Sequence, residues 1–364
     1  MQQCRELLLH WIRKFSDSPG CTNVTRHKIY LEDPYAPPIK ISYRLYSPIT
    51  ESIIKEEVQK LIDKGIVEES DSPYSFPVLI VPKKNGKKRV CVDFRALNAV
   101  TRKNSYPIPR VDQLLDRLKD SYWCSSLDLV SGFYQIELEE ESKPLTAFSV
   151  NDNHYQFKRL PMGLSGAPGS FQSCMNKILR PVLNKSAFVY LDDVLIASPT
   201  FEKHLEDLSE VLGLLRTAGL QINWEKSFFL RPYIEFLGYT VGQGMKLPSQ
   251  SKVEAVSSFP PPKSLKQLRS FLGLTGWYRK FIPNYATIAA PLTELLHKNV
   301  DFIWSEAQKQ AFDALKETLT SGPLLYCPDF SKPFVVETDA SNVGAAGILL
   351  QIINGKRTSC GLYF

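Results

Sequence analysis

The sequence predicts a mixed α/β (α+β) protein that is large enough for two or three domains. Its 364 residues contain short aromatic and β-branched runs, which are typical of strands, and amphipathic segments, which are typical of helices. The clearest strands flank two acids within residues 187–198 (AFVYLDDVLIAS). The clearest helix covers residues 201–218, where leucines recur at helical spacing. A hydrophobic content of 43% and a charged content of 23% fit an ordinary globular chain.

Two adjacent acids, Asp192 and Asp193, stand between apolar runs at residues 188–190 and 194–196. These runs are too short for helices and predict two strands joined by a tight turn. Adjacent carboxylates repel each other, and burying them without compensation is costly, so a positive group is expected beside them. A divalent cation meets that need, because hard cations take oxygen ligands. The alternative is a merely polar turn, although two-residue hairpins favour Asn-Gly or Asp-Gly.

The elements before this hairpin follow from local signals. Ser47 as N-cap and Pro48 at the first helical position predict a helix that ends at Gly65. The runs 76–81 and 89–94 predict a hairpin with a basic turn between its two strands.

A further candidate acid, Asp128, directly follows a strand predicted over residues 123–127. An acid at the end of a strand is well placed to bind a metal ion, and the alternative is that it caps a helix. A Gly- and Pro-rich loop over residues 160–168 then leads into a helix predicted over residues 169–183. The small residues of this loop allow a ligand to approach the backbone closely.

The remaining elements are two strands, a broken helical region, and a final helix and strand, predicted at residues 228–230, 236–240, 252–298, 305–319 and 334–341. The helical region is interrupted by three prolines at residues 260–262, after which Ser264 is the N-cap of a new helix. The last strand contains another acid, Asp339.

Positive charge is concentrated between residues 82 and 110. This segment has nine Lys or Arg residues and one acid, so it carries +8, whereas the whole chain carries +6 and the remainder therefore −2. A localised basic patch is typical of a protein that binds polyphosphate. A purely solvating face would mix the two signs of charge.

The seven cysteines show no CxxC and no paired Cys/His spacing, which argues against a zinc site. A disulfide framework is not expected at this length, so reduced thiols in an intracellular compartment fit better. The amphipathic N-terminus does not have the pattern of a signal peptide, and no apolar run reaches membrane-spanning length. We therefore expect an intracellular protein that is not secreted and has no membrane partner.

Five sequence blocks occur in an order that is typical of one family. They are VDFRALN, LDL, LPMGLSGAPGSFQ, YLDD and FLGY, which begin at Val92, Leu127, Leu160, Tyr190 and Phe236. Along nearly its whole length the chain resembles the reverse transcriptase of gypsy-type LTR retrotransposons. The resemblance implies a right-hand polymerase with fingers, palm and thumb, followed by a truncated RNase H-like strand segment.

The resemblance also implies a division of the chain into four consecutive segments. We expect an N-terminal lead-in over residues 1–46, the fingers and palm over residues 47–240, the thumb and connection over residues 241–330, and the start of an RNase H-like domain over residues 331–364.

The implied activity is RNA-directed and DNA-directed DNA synthesis with two Mg²⁺ ions, or Mn²⁺ in their place. Phosphoryl transfer needs positioning and charge neutralisation more than covalent help, so a cluster of acids and metal ions suits it. By resemblance, Asp128 and Asp192 are the bridging ligands, Asp193 is the adjacent third acid, and the carbonyl of Leu129 adds a ligand.

Nucleotide contacts are also implied by position. Arg89, with Lys83 or Lys84, is expected to bind the triphosphate, since Arg suits bidentate phosphate contacts. Phe133 is expected to lie under the sugar and exclude a 2′-hydroxyl, or alternatively to pack in the core. Met162 is expected to make an apolar contact with the nucleotide.

Template and primer contacts are assigned by resemblance to eight residues: Arg95, Gly163, Phe236, Leu237, Gly238, Arg269, Arg279 and Lys280. The expected partners are an RNA template, a DNA primer, the RNA–DNA hybrid and dNTPs. The oligomeric state is open, a homodimer included. The expected location is the cytoplasm, the nucleus or a virus-like particle.

Asp339 resembles the acid on the first strand of an RNase H domain. Because the sequence given stops at Phe364, we expect no RNase H activity from this chain alone. Two other readings stay open, namely a non-catalytic nucleic-acid-binding remnant of a transposon and an RNase H hydrolase.

Overall fold

The computed structural model describes residues 2–42, 45–82, 88–322, 324–340, 345–353 and 355–363. Helices and strands are interspersed along these ranges, as expected for a mixed α/β protein. The α-helices are α1 (Gln2–Ile12), α2 (Pro48–Asp63), α3 (Arg95–Ala99), α4 (Val111–Leu115), α5 (Ala167–Ile178), α6 (Phe201–Thr217), α7 (Gln250–Ser257), α8 (Leu265–Trp277), α9 (Tyr285–Glu294) and α10 (Glu306–Thr320).

Most of the strands are short, and the longest are β11, β17 and β18. They are β1 (Arg26–His27), β2 (Val67–Glu69), β3 (Val78–Pro82), β4 (Lys88–Val92), β5 (Trp123–Leu129), β6 (Glu137–Leu138), β7 (Phe148–Val150), β8 (Asn153–Phe157), β9 (Ala187–Tyr190), β10 (Asp193–Ser198), β11 (Ile222–Arg231), β12 (Ile234–Phe236), β13 (Tyr239–Gly242), β14 (Met245–Pro248), β15 (Leu325–Tyr326), β16 (Val335–Ala340), β17 (Ala345–Ile353) and β18 (Lys356–Tyr363).

A four-stranded sheet carries the adjacent acids, with the strand order β11-β5-β10-β9. Strands β9 and β10 are antiparallel, and Tyr190 pairs with Asp193. Most side chains of both strands are buried, which explains why their sequences read as continuous apolar runs rather than alternating ones. In this sheet β9 is an edge strand, and helix α5 packs against it.

The chain forms two compact units, each built from three chain segments. The first comprises Met1–Pro109, Ser126–Ile196 and Leu205–Phe228, and the second comprises Arg110–Ser125, Ala197–His204 and Phe229–Phe364. Aromatic rings fill both cores: the rings of Phe76 and Phe94 lie 5.6 Å apart in the first unit, and those of Phe271 and Phe312 lie 4.5 Å apart in the second. The consecutive boundaries expected from the sequence stay a prediction.

Helix capping follows the sequence signals. The hydroxyl of Ser47 accepts a hydrogen bond from the backbone of Thr50 at the start of α2, at 3.4 Å. The hydroxyl of Ser264 accepts one from the backbone of Gln267 at the start of α8, also at 3.4 Å. Each cap satisfies a backbone donor that the helix itself leaves without an acceptor.

The elements that differ from their predicted bounds include α5, β11 and β5. Helix α5 ends at Ile178, not at residue 183, because Pro181 cannot continue a helix. Strand β11 is longer than the predicted run 228–230. Asp128 was expected after its strand but lies inside β5, because the alternation of half-buried and buried side chains continues through Leu129.

The helices in the described part of the chain include none with the length and apolar character needed to cross a membrane.

Candidate active site

The two adjacent acids lie where a tight turn joins two strands, as the sequence predicts: Asp192 is in the turn and Asp193 begins β10. Strands β9 and β10 pair up to Tyr190 and Asp193, which leaves Leu191 and Asp192 as the two turn residues. Leu191 has φ 54°, in the left-handed region that side chains other than Gly rarely adopt. A two-residue hairpin requires this conformation at its first central position, so the turn holds Leu191 in strain.

The third acid, Asp128, is fixed through its backbone. The backbone N–H of Asp128 donates a hydrogen bond to the hydroxyl of Ser227 at 3.1 Å. That hydroxyl in turn donates to the carbonyl of Asn223 at 2.6 Å. Strand β11, which carries Ser227, therefore helps to hold the part of β5 that bears the acid.

The turn that follows β5 lies against the hairpin. Ser131 has φ 49°, and a short 3-10 helix then covers Gly132–Gln135. A Cβ added at Gly132 would lie 3.4 Å from the Cβ of Asp192 and 3.1 Å from the ring of Phe171. This close approach favours a residue without a side chain, and it brings the segment after Asp128 beside Asp192.

The carboxyl groups influence one another electrostatically. Asp193 reaches the surface, yet desolvation, together with the charges of Asp192 and Asp128, raises its pKa to about 6. Desolvation also raises the pKa of Asp128, and the charge of Asp192 adds to this effect, while the positive charge of Lys226 opposes it. The three acids thus share one local field, and a cation placed among them would relieve their repulsion.

Within the described ranges, no group of three or more His, Cys, Asp or Glu side chains is arranged so that it could hold a metal ion. The chemistry of the three acids nevertheless fits a hard divalent cation, which takes carboxylate and carbonyl oxygens. The mutual repulsion of Asp128, Asp192 and Asp193 is the feature that such an ion would neutralise. Leu129, whose carbonyl was predicted as a ligand, is the last residue of β5.

Two of the predicted nucleotide residues lie near this site. The ring of Phe133 is half-buried and lies 5.2 Å from the ring of Phe171. Met162 lines a cavity of about 230 Å³, together with Ser131 and Tyr134 from the turn after β5. Phe133 therefore lies within the turn at residues 131–135, which approaches Asp192, and Met162 lies beside that turn.

The predicted triphosphate contacts cannot be placed. Strands β3 and β4 form the expected hairpin, with Val78 opposite Val92. Lys83 and Lys84 lie outside the described residues, and so does the side chain of Arg89. Their roles stay predictions.

The loop that carries Gly163 is held by a side chain that the sequence reading missed. Gly163 has φ 99°. The amide of Asn98, on α3, donates to the carbonyl of Gly163 and accepts from the backbone of Ser165, both at 2.8 Å. Arg95, at the start of α3, is exposed and donates to both carboxylate oxygens of Asp93, at 2.8 and 2.6 Å.

In the second unit, residues 236–240 form a hairpin turn, in agreement with the hairpin that the resemblance implies for Phe236, Leu237 and Gly238, and not the single strand predicted from the local apolar run. Phe236 ends β12, Tyr239 begins β13, and the two pair across the turn residues Leu237 and Gly238. Both turn residues have positive φ, 52° and 85°, so the chain reverses where an apolar run suggested continuity. The carbonyl of Gly238 accepts hydrogen bonds from the hydroxyl of Tyr278 (2.7 Å) and from a backbone N–H (3.1 Å).

The predicted thumb residues lie on and after α8. Arg269 and Arg279 are exposed. Lys280 was predicted as a contact to the duplex backbone, but its Nζ lies 3.0 Å from a carboxylate oxygen of Asp112. In the final sheet Asp339 lies opposite Ala346 in the pairing of β16 with β17, and its side chain lies outside the described part of the chain.

The family-level comparisons agree with the sequence blocks. Residues 81–241 match the family model described as reverse transcriptase (RNA-dependent DNA polymerase). Residues 304–364 match an RNase H-like domain found in reverse transcriptase. The chain belongs to the reverse transcriptase family, with an RNase H-like segment after the polymerase domain, so the resemblance drawn from the sequence is confirmed. Members of this family generally depend on divalent metal ions.

The similar proteins include transposon polyproteins. The chain is 43% identical over 304 residues to the retrovirus-related Pol polyprotein from transposon 297 of Drosophila melanogaster, covering 82% of this chain and 29% of that protein. It is 37% identical over 316 residues to the Pol polyprotein from transposon gypsy of the same organism, covering 82% and 30%. The chain thus spans less than a third of the length of these relatives.

Solved structures share the fold. The foamy viral protease-reverse transcriptase in complex with double-stranded DNA has a TM-score of 0.90 at 23% identity, covering 100% of this chain and 64% of that one. A structure of the foamy viral enzyme in complex with an RNA/DNA hybrid has a TM-score of 0.85 at 23% identity, covering 99% and 49%. The predicted reverse transcriptase fold is confirmed.

Proposed function

We propose that this chain is the RNA-directed and DNA-directed DNA polymerase of a retrotransposon. The observation that carries the proposal is the field shared by Asp128, Asp192 and Asp193 within a reverse transcriptase domain. The reaction joins the primer 3′ oxygen to the α-phosphorus of a dNTP and releases pyrophosphate. The viral neighbours bound to double-stranded DNA and to an RNA/DNA hybrid support nucleic acid as the partner.

Asp128 and Asp192 would hold two Mg²⁺ ions, or Mn²⁺, with Asp193 and the carbonyl of Leu129 as additional oxygen donors. When bound, such ions activate the attacking oxygen and neutralise the charge of the triphosphate and the leaving group. The task of the chain is to hold the carboxylates in place. Strand β5 orients Asp128, and the strained turn orients the other two acids.

Selection of the nucleotide is assigned to residues beside the acids. Phe133, held against Phe171, would exclude a 2′-hydroxyl, and Met162 would contact the nucleotide through its apolar side chain. Arg89 and Lys83 or Lys84 would bind the triphosphate, in keeping with the basic hairpin to which they belong.

Template and primer are assigned to two surfaces, one in each unit. In the first unit, Gly163 and Arg95 would contact the template. The hydrogen bonds of Asn98 to the loop would hold Gly163 in place for this contact. In the second unit, residues 236–238 would contact the primer end. The exposed Arg269 and Arg279 would contact the duplex backbone, and Lys280 would do so only if it leaves Asp112. The number of chains in the active form stays open, a homodimer included.

Primer extension tests the proposal. The purified chain receives an oligo-dT primer on poly-rA, dTTP and Mg²⁺, beside an Asp192→Asn/Asp193→Asn double variant. A matched control, Asp152→Asn, neutralises an exposed acid in the turn between β7 and β8. We expect extension by the parent and the matched control, and none by the double variant.

Two further measurements separate the outcomes. Thermal unfolding and binding of a fluorescent RNA–DNA hybrid show whether each variant is folded and binds nucleic acid. A folded parent that binds the hybrid without extending it would support the reading as a non-catalytic remnant. Equal extension by parent and double variant would contradict the assignment of the acids. A labelled RNA strand in the hybrid tests RNase H activity, which we expect to be absent.

A further inference from the structure

Gln172, on helix α5, contacts the backbone of the acidic hairpin directly. Its side chain is 1% exposed. Its Oε1 accepts a hydrogen bond from the backbone N–H of Leu191 at 2.8 Å, and its Nε2 donates to the carbonyl of Val189 at 3.3 Å. One amide group thus binds a carbonyl and an N–H that lie two residues apart on the chain.

This pair of contacts matches the free edge of a strand. In an extended chain, the carbonyl of one residue and the N–H of the second residue after it point to the same side and would pair with a neighbouring strand. Strand β9 is the edge strand of its sheet, so its outer side faces α5. The amide of Gln172 takes the place of one residue of a further strand, at the point where β9 enters the turn.

The contact falls on the strained residue. Leu191 has φ 54°, a conformation that persists only where its surroundings over-determine it. The hydrogen bond to Gln172 engages the backbone of Leu191 itself. The next residue is Asp192, so the direction of its carboxylate follows from the backbone of Leu191.

Gln172 is itself held in one orientation. Its Nε2 also donates to Oδ1 of Asn176 at 2.9 Å. The Nδ2 of Asn176 donates to the hydroxyl of Tyr106 at 2.8 Å. This relay runs along α5 and fixes which end of the Gln172 amide faces the hairpin.

We propose that Gln172 is a positioning residue for the metal-binding acids: its amide holds Leu191 in the left-handed conformation and thereby aims Asp192 and Asp193. The inference rests on the proposed polymerase function and adds a requirement for catalysis outside the acids themselves. Gln172 touches neither substrate nor metal.

The test replaces Gln172 with Met, which keeps the length of the side chain and removes all of its hydrogen bonds. We expect kcat of Gln172→Met to fall about 10- to 100-fold, because small misplacements of reacting groups cost that much. The KM for dTTP and the affinity for the hybrid should stay within about threefold of the parent. The Mg²⁺ concentration for half-maximal activity should rise, which a loss of stability alone would not produce.

Two further variants keep the test decisive. Ser170→Ala, on the same helix, removes a hydrogen bond to His27 that does not involve the hairpin, and should leave kcat and the Mg²⁺ requirement unchanged. Asn176→Ala loosens Gln172 without removing its contacts to the hairpin, and should give a smaller change in the same direction as Gln172→Met. If Gln172→Met does not fold, Asn176→Ala carries the test.

A readout that does not depend on polymerase activity separates the two proposals. Hydrogen exchange of the Leu191 amide should accelerate in Gln172→Met and not in Ser170→Ala, even if the parent proves inactive. An inactive parent with this exchange pattern would refute the proposed polymerase function. It would still support the hydrogen bond to Gln172 as the contact that holds Leu191. Folded Gln172→Met with the parent's kcat, Mg²⁺ requirement and Leu191 exchange would overturn the inference.

Discussion

The two hairpins that carry candidate site residues place a leucine in the same strained conformation but present different chemistry. In the first unit, φ is positive at Leu191 and not at the following Asp192. In the second unit, φ is positive at both Leu237 and Gly238. The second residue of the first turn is therefore an aspartate with an exposed carboxylate. The second residue of the second turn is a glycine, which has only backbone to present there.

The support of the two turns differs accordingly. The first turn is held from outside by a buried side-chain amide on Leu191. The second is held at its own carbonyl, Gly238, by Tyr278 and a backbone N–H. In the first turn, the hydrogen bond is made to Leu191, the residue before the exposed carboxylate of Asp192. In the second turn, the hydrogen bonds are made to the carbonyl of Gly238, which belongs to the backbone of the turn itself.

The largest effect on activity is expected from a substitution of Asp192, the second turn residue of the first hairpin. For Asp192→Asn we expect kcat to fall about 10³-fold or more, since several kcal/mol of charge stabilisation by a bound ion would be lost. Single-turnover primer extension measures this loss. The melting temperature should hold or rise, because a repulsive charge is removed. A variant that retains more than a tenth of the parent's rate would show that this carboxylate is dispensable.

The next effect concerns the stability of the first unit at low pH. Burial lowers the pKa of His27, which contacts Ser170 on α5, to about 4. The folded pKa lies below the unfolded value of about 6.5, so this stabilisation is complete above pH 6.5 and is lost as the pH falls towards 4. The loss amounts to about 3 kcal/mol for this residue.

Urea unfolding at several pH values, with His27→Asn as the comparison, measures that contribution. The difference in unfolding free energy between parent and variant should shrink by this amount between pH 7 and pH 4. A constant difference across this range would mean that His27 does not titrate as stated.

A smaller effect is expected from the second hairpin. Gly238→Ala places a side chain at φ 85° and a Cβ 3.3 Å from the hydroxyl of Tyr278. We expect a cost of about 1–2 kcal/mol in unfolding free energy, together with weaker primer-template binding. Gly273→Ala is the control, because a Cβ at this helical glycine meets no atom within 4 Å, and it should add up to about 1 kcal/mol of stability. Equal stability of the two variants would contradict the strain at Gly238.

The smallest effect is expected at the leucine of the second hairpin. Leu237→Asn creates an Asn-Gly turn, which suits two residues with positive φ. We expect a gain of about 0.5–1 kcal/mol in unfolding free energy, because Asn tolerates the left-handed conformation better than Leu. Thermal unfolding measures this gain. A loss of stability would show that packing of Leu237 outweighs its strain.

The local residue pattern revealed the first hairpin but not the second, which only the family resemblance indicated, and the reason is physical. Residues 188–190 and 194–196 are separated by three residues that include the adjacent acids Asp192 and Asp193, so the turn is visible as a polar interruption. Residues 236–239 (FLGY) contain no polar break, and the positive φ of Leu237 has no local signal in its side chain. Asp128 was predicted directly after a strand over residues 123–127, whereas the strand continues to Leu129 and contains it.

Residues that act through long-range hydrogen bonds were also missed. Gln172 is 19 positions from Leu191, and Asn98 is 65 positions from Gly163. Neither a helical nor a strand period marks such pairs, because each side chain satisfies a backbone group of a distant segment. The charge of Lys226 near Asp128 likewise depends on the pairing of β11 with β5, which local patterns do not specify.

The edge position of β9 also has a consequence for solubility. A strand with a free backbone edge is a template on which another chain can add a strand and start an aggregate. Helix α5 covers that edge, and the amide of Gln172 occupies two of its hydrogen-bonding groups. By occupying these two groups, Gln172 makes this edge of the sheet less available for pairing with a strand of another chain.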